Sequence, residues 1–401
     1  MDLTIHPRTL SGEITVIPSK SQAHRLLICA AFSDNPSILI CPETNQDIDA
    51  TAQCLNLICH AVQPVPGGYD ITPYGYDETP FDCFCLNCHD SGSTLRFLLP
   101  IMGALGCTAY FKMEGRLPNR PLSPLWEEME RMGCSLRWVA EDELLLEGKL
   151  RPGDYTISGN VSSQFISGLL FAASLMDGDS TIHITGKLES APYVTMTQRA
   201  LAMFGINTEG FHVKGGQKLH APETVTVEGD WSNGAFWLTA AALGNKLTVT
   251  NLDPDSPQGD RAAAQLLPAL KEHQTIDASD IPDLVPILSV AAACNRGAVF
   301  TNIRRLRIKE SDRVASTVAM IQNLGGRAEA DETTLTVFGT GLLGGTVDAM
   351  NDHRIAMSAA IASTVCTAPV TILGAECVQK SYPKFWEEFS RLGGKYELNL
   401  R

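Results

Sequence analysis

The feature that most constrains this chain is that it repeats itself. A short strand-like run, a polar patch and an Ala/Leu-rich helix recur around Ser21 (PSKSQAHRLLICAAF), Ser91 (CHDSGSTLRFLLPIMGAL) and Ser163 (SGNVSSQFISGLLFAASL). The same pattern returns around Ser232 (VEGDWSNGAFWLTAAAL), Asp283 (SDIPDLVPILSVAAA) and His353 (MNDHRIAMSAAIAS). Neighbouring copies mostly stand about 70 residues apart, with a shorter fourth-to-fifth step, which marks a repeated supersecondary unit. A second signature falls between them: an amphipathic helix closed by glycine, then a strand. It reads EEMERMGCSLRW, RALAMFGINTEG, AMIQNLGGRAEA and EEFSRLGGKYEL. Gly133, Gly205, Gly325 and Gly393 stand where a left-handed helix cap favours glycine. Each copy therefore predicts strand, buried helix, strand, amphipathic helix, strands, an α/β (α+β) organisation. At 401 residues the chain is too long for one simple core, so six units divide into two domains of three.

Ala-rich helices that lose their charge after the first turn belong inside, with polar N-termini exposed. Run side by side, they place those N-termini on one face, and their unpaired N–H groups make that face attractive to anions. The net charge of −14 argues against nucleic acid, so an anionic ligand must be held by locally clustered Lys and Arg. Leu306 to Arg313 is such a cluster, with Arg307, Lys309, Glu310, Asp312 and Arg313 packed just before an apolar helix. Basic residues are electrostatically misplaced at a helix start unless something anionic sits beside them, although an ordinary capping cluster reads similarly. Met1-Asp2-Leu3-Thr4 has no basic stretch leading into an apolar one, and no run of about eighteen apolar residues occurs. A cytoplasmic globular protein is expected, its twelve cysteines reduced and mostly buried.

Several patches then read as candidate sites. Lys20 and Arg25 flank a helix start around Ser21, suited to phosphate or carboxylate, or else merely neighbours of a capping serine. Ser162, Ser163 and Gln164 offer uncharged donors at another start, where capping alone suffices. Asp90-Ser91-Gly92-Ser93 is small enough for close backbone approach, with Arg96 one turn in. Arg116 and Arg120 sit on the Pro-rich stretch Gly115–Pro121, expected to be non-helical. His353 and Arg354 open the last inner helix, Lys380 sits in the turn before Pro383, and Asp283 is the carboxylate able to serve as a base, kept ionised by its cationic surroundings. The string Cys85-Leu86-Asn87-Cys88-His89 matches a haem-attachment motif, but that chemistry belongs to exported proteins, and Cys83 and Cys85 alternate as strand positions. No nucleotide-, dinucleotide- or metalloprotease-type motif occurs.

Taken together, Pro18-Ser19-Lys20-Ser21, the Ser91-Gly92-Ser93-Thr94 loop leading to Arg96, Arg120-Pro121, Ser162-Ser163-Gln164 and Ile281-Pro282-Asp283 resemble the EPSP synthase family of enolpyruvyl transferases. Arg307 to Arg313, Asp352-His353-Arg354 and Lys380-Ser381-Tyr382-Pro383 extend the resemblance nearly end to end. It implies a two-domain inverse α/β barrel, each domain a threefold βαβαββ repeat, with residues 1–18 plus 227–401 in one domain and 19–226 in the other. It implies transfer of the enolpyruvyl group of phosphoenolpyruvate to the 5-hydroxyl of shikimate 3-phosphate, without cofactor or metal, by a monomer. On this resemblance Lys20, Ser21, Arg25, Ser162, Ser163, Gln164, Ser190, Tyr193, Asp283 and Lys309 bind shikimate 3-phosphate. Lys20, Asp90, Gly92, Arg96, Arg120, Gln164, Arg313, His353, Arg354 and Lys380 bind phosphoenolpyruvate, where the inhibitor glyphosate also binds in the family. Asp283 accepts the hydroxyl proton, and Glu310 or Lys20 protonates carbon.

Two positions depart from the family. Asp90 stands where Asn is frequent, which adds a negative charge near phosphoenolpyruvate. Phe97 stands where many members have Pro or Leu, which reshapes the pocket. The nearest alternative, a sister transferase acting on UDP-N-acetylglucosamine, has a cysteine in the loop that here reads Gly115-Arg116-Leu117-Pro118-Asn119-Arg120. A catalytically silent scaffold is the other alternative, and the intact set Lys20, Asp283, Glu310 and Arg354 argues against it.

Overall fold

A computed structural model of the chain describes residues 1–73 and 83–399. It divides into two compact units: a continuous one, Pro18–Val227, and a discontinuous one, Met1–Ile17 with Glu228–Arg401.

In the continuous unit the helices run α1 (Lys20–Ala31), α2 (Gln46–Cys59), α3 (Gly92–Leu105), α4 (Leu125–Arg131), α5 (Ser163–Ser174) and α6 (Ala191–Met203). Three four-stranded sheets accompany them, and each has the same internal order: two parallel strands, then two antiparallel ones. One example is Cys83–His89 beside Thr108–Met113 in parallel, with Glu143–Gly148 and Cys134–Ala140 antiparallel. Helices α3 and α5 are the crossovers of two of the parallel pairs, while α1 leads into Ser37–Ile40, whose parallel partner Thr224–Thr226 comes from the far end of the unit. Those three are the inner helices; α3 buries twelve of its residues, from Gly92 to Ala104, and α5 buries eleven. Each fully buried Leu, Ile or Phe contributes about 1.5–3 kcal/mol, so the helices' apolar runs hold the unit together. Gly168 lets α5 approach α3 closely, since a Cβ there would lie 2.2 Å from the Arg96 carbonyl oxygen.

In the discontinuous unit the order continues as α7 (Trp231–Ala242), α8 (Ala263–Ala269), α9 (Val285–Ala293), α10 (Arg313–Asn323), α11 (His353–Ala362) and α12 (Phe385–Arg391). Two of its sheets have four strands and one has two. The chain start supplies Asp2–His6 to the interior of one sheet, between Val370–Leu373 and Lys395–Asn399. It also supplies Ser11–Thr15 to the two-stranded sheet, parallel to Lys246–Thr250.

The six inner helices are those the repeat predicts. Gly133, Gly205, Gly325 and Gly393 close α4, α6, α10 and α12 at φ of 115°, 85°, 83° and 102°. The two remaining outer helices lack that glycine: α2 ends on His60, itself left-handed at φ 52°, and α8 ends on Leu270 in ordinary helical geometry. Contrary to expectation, the proline-rich loop holds a short 3-10 turn, Leu117–Asn119. Pro118 lies in its first residues, where no backbone N–H is required. The Cys85–His89 string lies on a strand whose Phe84, Leu86 and Cys88 face inward while Cys83 and Cys85 face out. Among the described residues no helix is long and apolar enough to cross a membrane, and no group of side chains could hold a metal ion.

Candidate functional site

The inner helices of the continuous unit all start on serine caps: Ser19, Ser91 and Ser162 accept the N–H of Gln22, Thr94 and Gln164. A neutral cap satisfies one N–H and leaves the positive helix end uncompensated. The α1 cap is Ser19, so capping does not use Ser21. For Ser162 the capping reading holds.

Around these starts the cations are held in fixed positions. Lys20 Nζ donates to Asp47 Oδ2 at 2.8 Å. Arg25, only 2 % exposed, donates from Nε to Thr197 at 2.8 Å, from Nη1 to the Ser21 carbonyl at 2.6 Å and from Nη2 to the Tyr193 carbonyl at 2.8 Å. Burial lowers its pKa to about 10. Ser190 begins α6 in the left-handed conformation at φ 55°. Arg96 donates to Gln164 Oε1 at 3.0 Å and to the Pro121 carbonyl at 3.1 Å, while Gln164 Nε2 donates to Ser93 at 2.9 Å. A Cβ on Gly92 would lie 2.7 Å from Arg96 Nη1 and 2.9 Å from Arg120 Nη1. Both guanidinium groups therefore converge on a position only glycine leaves open. Ser163, the first residue of α5, is buried beside this group.

The two family departures resolve differently. The Asp90 carboxylate packs against Gly115, whose Cβ would sit 2.8 Å from Oδ2, at the base of the turn that carries Arg120. Phe97 is fully buried in the core, with the Arg25 guanidinium 5.1 Å over its ring. It is part of the core and packs on His24 and Phe171 as well as under Arg25.

The discontinuous unit caps two inner helices with aspartates, Asp230 and Asp352, and there the charge is already compensated. Asp283 lies just ahead of α9, whose cap is Leu284. Its Oδ1 accepts from Arg313 Nη1 at 2.6 Å and its Oδ2 from Arg354 Nη2 at 3.0 Å. Burial disfavours its charge, but Arg354, Lys309 and Arg313 together overcome that and hold the carboxyl well below its usual range. Arg313 also donates to Glu310 Oε2 at 2.5 Å and to Asp352 Oδ2 at 3.0 Å. The anions beside the basic cluster of Leu306 to Arg313 are thus the chain's own carboxylates. Burial brings Lys309 down to about 8, although Asp283 opposes it. His353 and Arg354, both buried, begin α11, and the turn Ala375–Lys380 packs on that helix and buries Lys380.

Sequence reasoning assigned no role to three residues. Asp352 caps Arg354 N at 3.0 Å while accepting from Arg313 and Ser311; its signal was a helix-cap position. Asp47 lies 27 residues from Lys20, and nothing local announces their pairing. Asp260 is 1 % exposed, hydrogen-bonded by Ser232, and raised to about 7 by burial and by the neighbouring Asp283 charge.

The fold is that of the enolpyruvyl transferases. A solved EPSP synthase from Acinetobacter baumannii superposes with a TM-score of 0.80 at 23% identity, covering 99% of this chain and 100% of that one. The enolpyruvyl transferase NikO from Streptomyces tendae gives 0.74 at 20% identity, covering 99% and 98%. At the level of sequence, the family model for EPSP synthase (3-phosphoshikimate 1-carboxyvinyltransferase) matches residues 5–389. The 3-phosphoshikimate 1-carboxyvinyltransferase of Clostridium kluyveri is 38% identical over 420 residues, covering 98% of each chain. That of Clostridioides difficile is 35% identical over 429 residues, again covering 98% of each. The chain belongs to the EPSP synthase family.

Proposed function

We propose that this chain transfers the enolpyruvyl group of phosphoenolpyruvate to the 5-hydroxyl of shikimate 3-phosphate and releases phosphate, the reaction named for its relatives. The observation that best supports it is the half-buried carboxylate Asp283, held between Arg313 and Arg354 and within the field of Lys309. A base so held is weak. An incoming anion that draws Arg354 to itself removes one of those cations, and the basicity of Asp283 rises when substrate is in place.

In this reading Lys20, Ser21, Arg25, Ser162, Ser163, Gln164, Ser190, Tyr193 and Lys309 bind shikimate 3-phosphate. Lys20, Asp90, Gly92, Arg96, Arg120, Gln164, Arg313, His353, Arg354 and Lys380 surround phosphoenolpyruvate. Arginine forks suit its phosphate and carboxylate, and cations offset repulsion between two anionic substrates. Asp283 takes the proton of the 5-hydroxyl as its oxygen bonds to carbon 2 of the enolpyruvyl group. Glu310 or Lys20 delivers a proton to the methylene carbon, giving a tetrahedral intermediate. Loss of a proton from the methyl group and departure of phosphate then restore the double bond. The enzyme works in this reading as a monomer in the cytoplasm on small molecules, with no metal or cofactor.

The test is phosphate release from phosphoenolpyruvate with shikimate 3-phosphate, beside UDP-N-acetylglucosamine as acceptor. Turnover with the shikimate ester alone is expected. Turnover only with the sugar nucleotide overturns the acceptor assignment; binding of shikimate 3-phosphate with silence toward both acceptors marks a catalytically inert scaffold.

A further inference from the structure

One buried polar group in the continuous unit has no place in that mechanism. His24 is fully buried in α1. Its Nδ1 lies 2.7 Å from Thr51 Oγ1 of α2, Thr51 Oγ1 lies 2.7 Å from Thr94 Oγ1 of α3, and Thr94 Oγ1 donates to Ser91 Oγ at 2.7 Å. The direction of every bond follows from the last. Thr94 has one hydroxyl hydrogen and spends it on Ser91, so Thr51 must donate to Thr94, and His24 must donate to Thr51 from Nδ1. The ring is then the neutral Nδ1–H tautomer, consistent with burial and with the charges of Lys20 and Arg25, which hold its pKa well below the usual value. Nε2 is left bare, buried and without a hydrogen-bond partner among the described residues. A leucine would fill the same space without that penalty.

The row joins two sets of site residues. Lys20 and His24 stand one turn apart on α1, facing Asp47 and Thr51 one turn apart on α2, so Lys20–Asp47 and His24–Thr51 form two successive rungs. At its other end Ser91 caps α3 immediately before Gly92, where Arg96 and Arg120 converge. The His24 ring also stands perpendicular to Phe97, 6.4 Å between centroids, and Phe97 supports Arg25 from beneath.

We propose that His24 is a positioning residue: through Thr51, Thr94 and Ser91 it locks the start of α1, with Lys20, Ser21 and Arg25, to the start of α3, with Gly92 and Arg96. The spacing between the two groups of anion-binding side chains is then set by a rigid row of buried hydrogen bonds rather than by apolar packing, which tolerates small slips. The proposal rests on the ligand assignment made above.

The test is steady-state kinetics with both substrates, beside thermal melts, on full-length His24→Leu, Thr94→Val, the double variant, His24→Asn and Arg96→Ala. His24→Leu and Thr94→Val should each raise KM for both substrates about 3- to 10-fold, the worth of a lost buried hydrogen bond, with kcat nearly unchanged. The double variant should be no worse than the poorer single, because either break opens the same row. His24→Asn, whose amide nitrogen stands near the place of Nδ1, should recover most of the loss. Should His24→Leu fail to fold, the near-isosteric Thr94→Val carries the same prediction. A lowered melting temperature with both KM values unchanged overturns the proposal, as does additive loss in the double variant. The Arg96→Ala control separates the levels: a raised KM there, with the His24 and Thr94 variants normal, refutes only the role of His24. Normal KM values in all of them refute the ligand assignment itself.

Discussion

At the scale of single residues, the site is built from groups whose chemistry was visible but whose partners were not. Gly92 shows the difference. A small residue near Arg96 was legible as room for a ligand; the structure shows that the room is bounded by two guanidinium groups, Arg96 and Arg120. Gly92→Ala should force them apart and raise KM for phosphoenolpyruvate roughly 10-fold, the cost of a mild overpacking, with little change for shikimate 3-phosphate. Asp283→Ala should lower kcat roughly 100- to 10,000-fold, the usual share of a general base, while calorimetry still detects shikimate 3-phosphate; an unchanged kcat removes Asp283 from the mechanism. Asp260 yields a pH prediction. Its carboxyl is raised from 3.8 to about 7 by burial and by Asp283. Between those values the unfolded chain has released a proton that the folded chain keeps, so stability is full below about pH 4 and is lost as pH rises toward 7. Asp260→Asn removes that contribution, and its melting temperature should fall less across the same range than the wild type's.

At the scale of elements, helix type and order followed from apolar periodicity, and four helix ends followed from glycine. Helices α2 and α8 escaped the glycine signature because their ends need none: His60 adopts the left-handed cap itself, and Leu270 stays helical. The approach of α5 to α3 had no sequence signal beyond a glycine in an Ala-rich run. It matters because Arg96 lies on the facing turn. Gly168→Ala sets a methyl group against the Arg96 carbonyl, and should cost about 1–3 kcal/mol of stability and displace Arg96 enough to raise KM for phosphoenolpyruvate. A melt together with substrate titration checks both effects; normal values in each show that the helices slide apart freely.

At the scale of the whole molecule, the chain's two ends are tied together within the discontinuous unit. Asp2–His6 is an interior strand, bonded on one side to Val370–Leu373 and on the other to Lys395–Asn399. Deleting residues 1–6 should therefore destabilise a unit most of whose residues lie more than 220 positions away, because two ladders lose their shared partner. Circular dichroism melts of the truncated chain should show an early transition; a melt that matches the full chain refutes the strand's structural role.

Periodicity, glycine placement and helix-start chemistry were determined by the sequence alone, because each depends on residues within about one or two turns of one another. They were enough to read six repeated units, buried helices with polar starts and clustered cations in an acidic chain. Pairing belongs to the tertiary structure. That Asp47 meets Lys20, that Asp352 meets Arg313, and that His24 reaches Ser91 through two threonines are contacts between distant elements, and no local pattern encodes them. Those contacts decide which cations are already satisfied by the protein's own carboxylates and how the anion-binding side chains are spaced, since electrostatic energy depends on distance and burial and not on order along the chain.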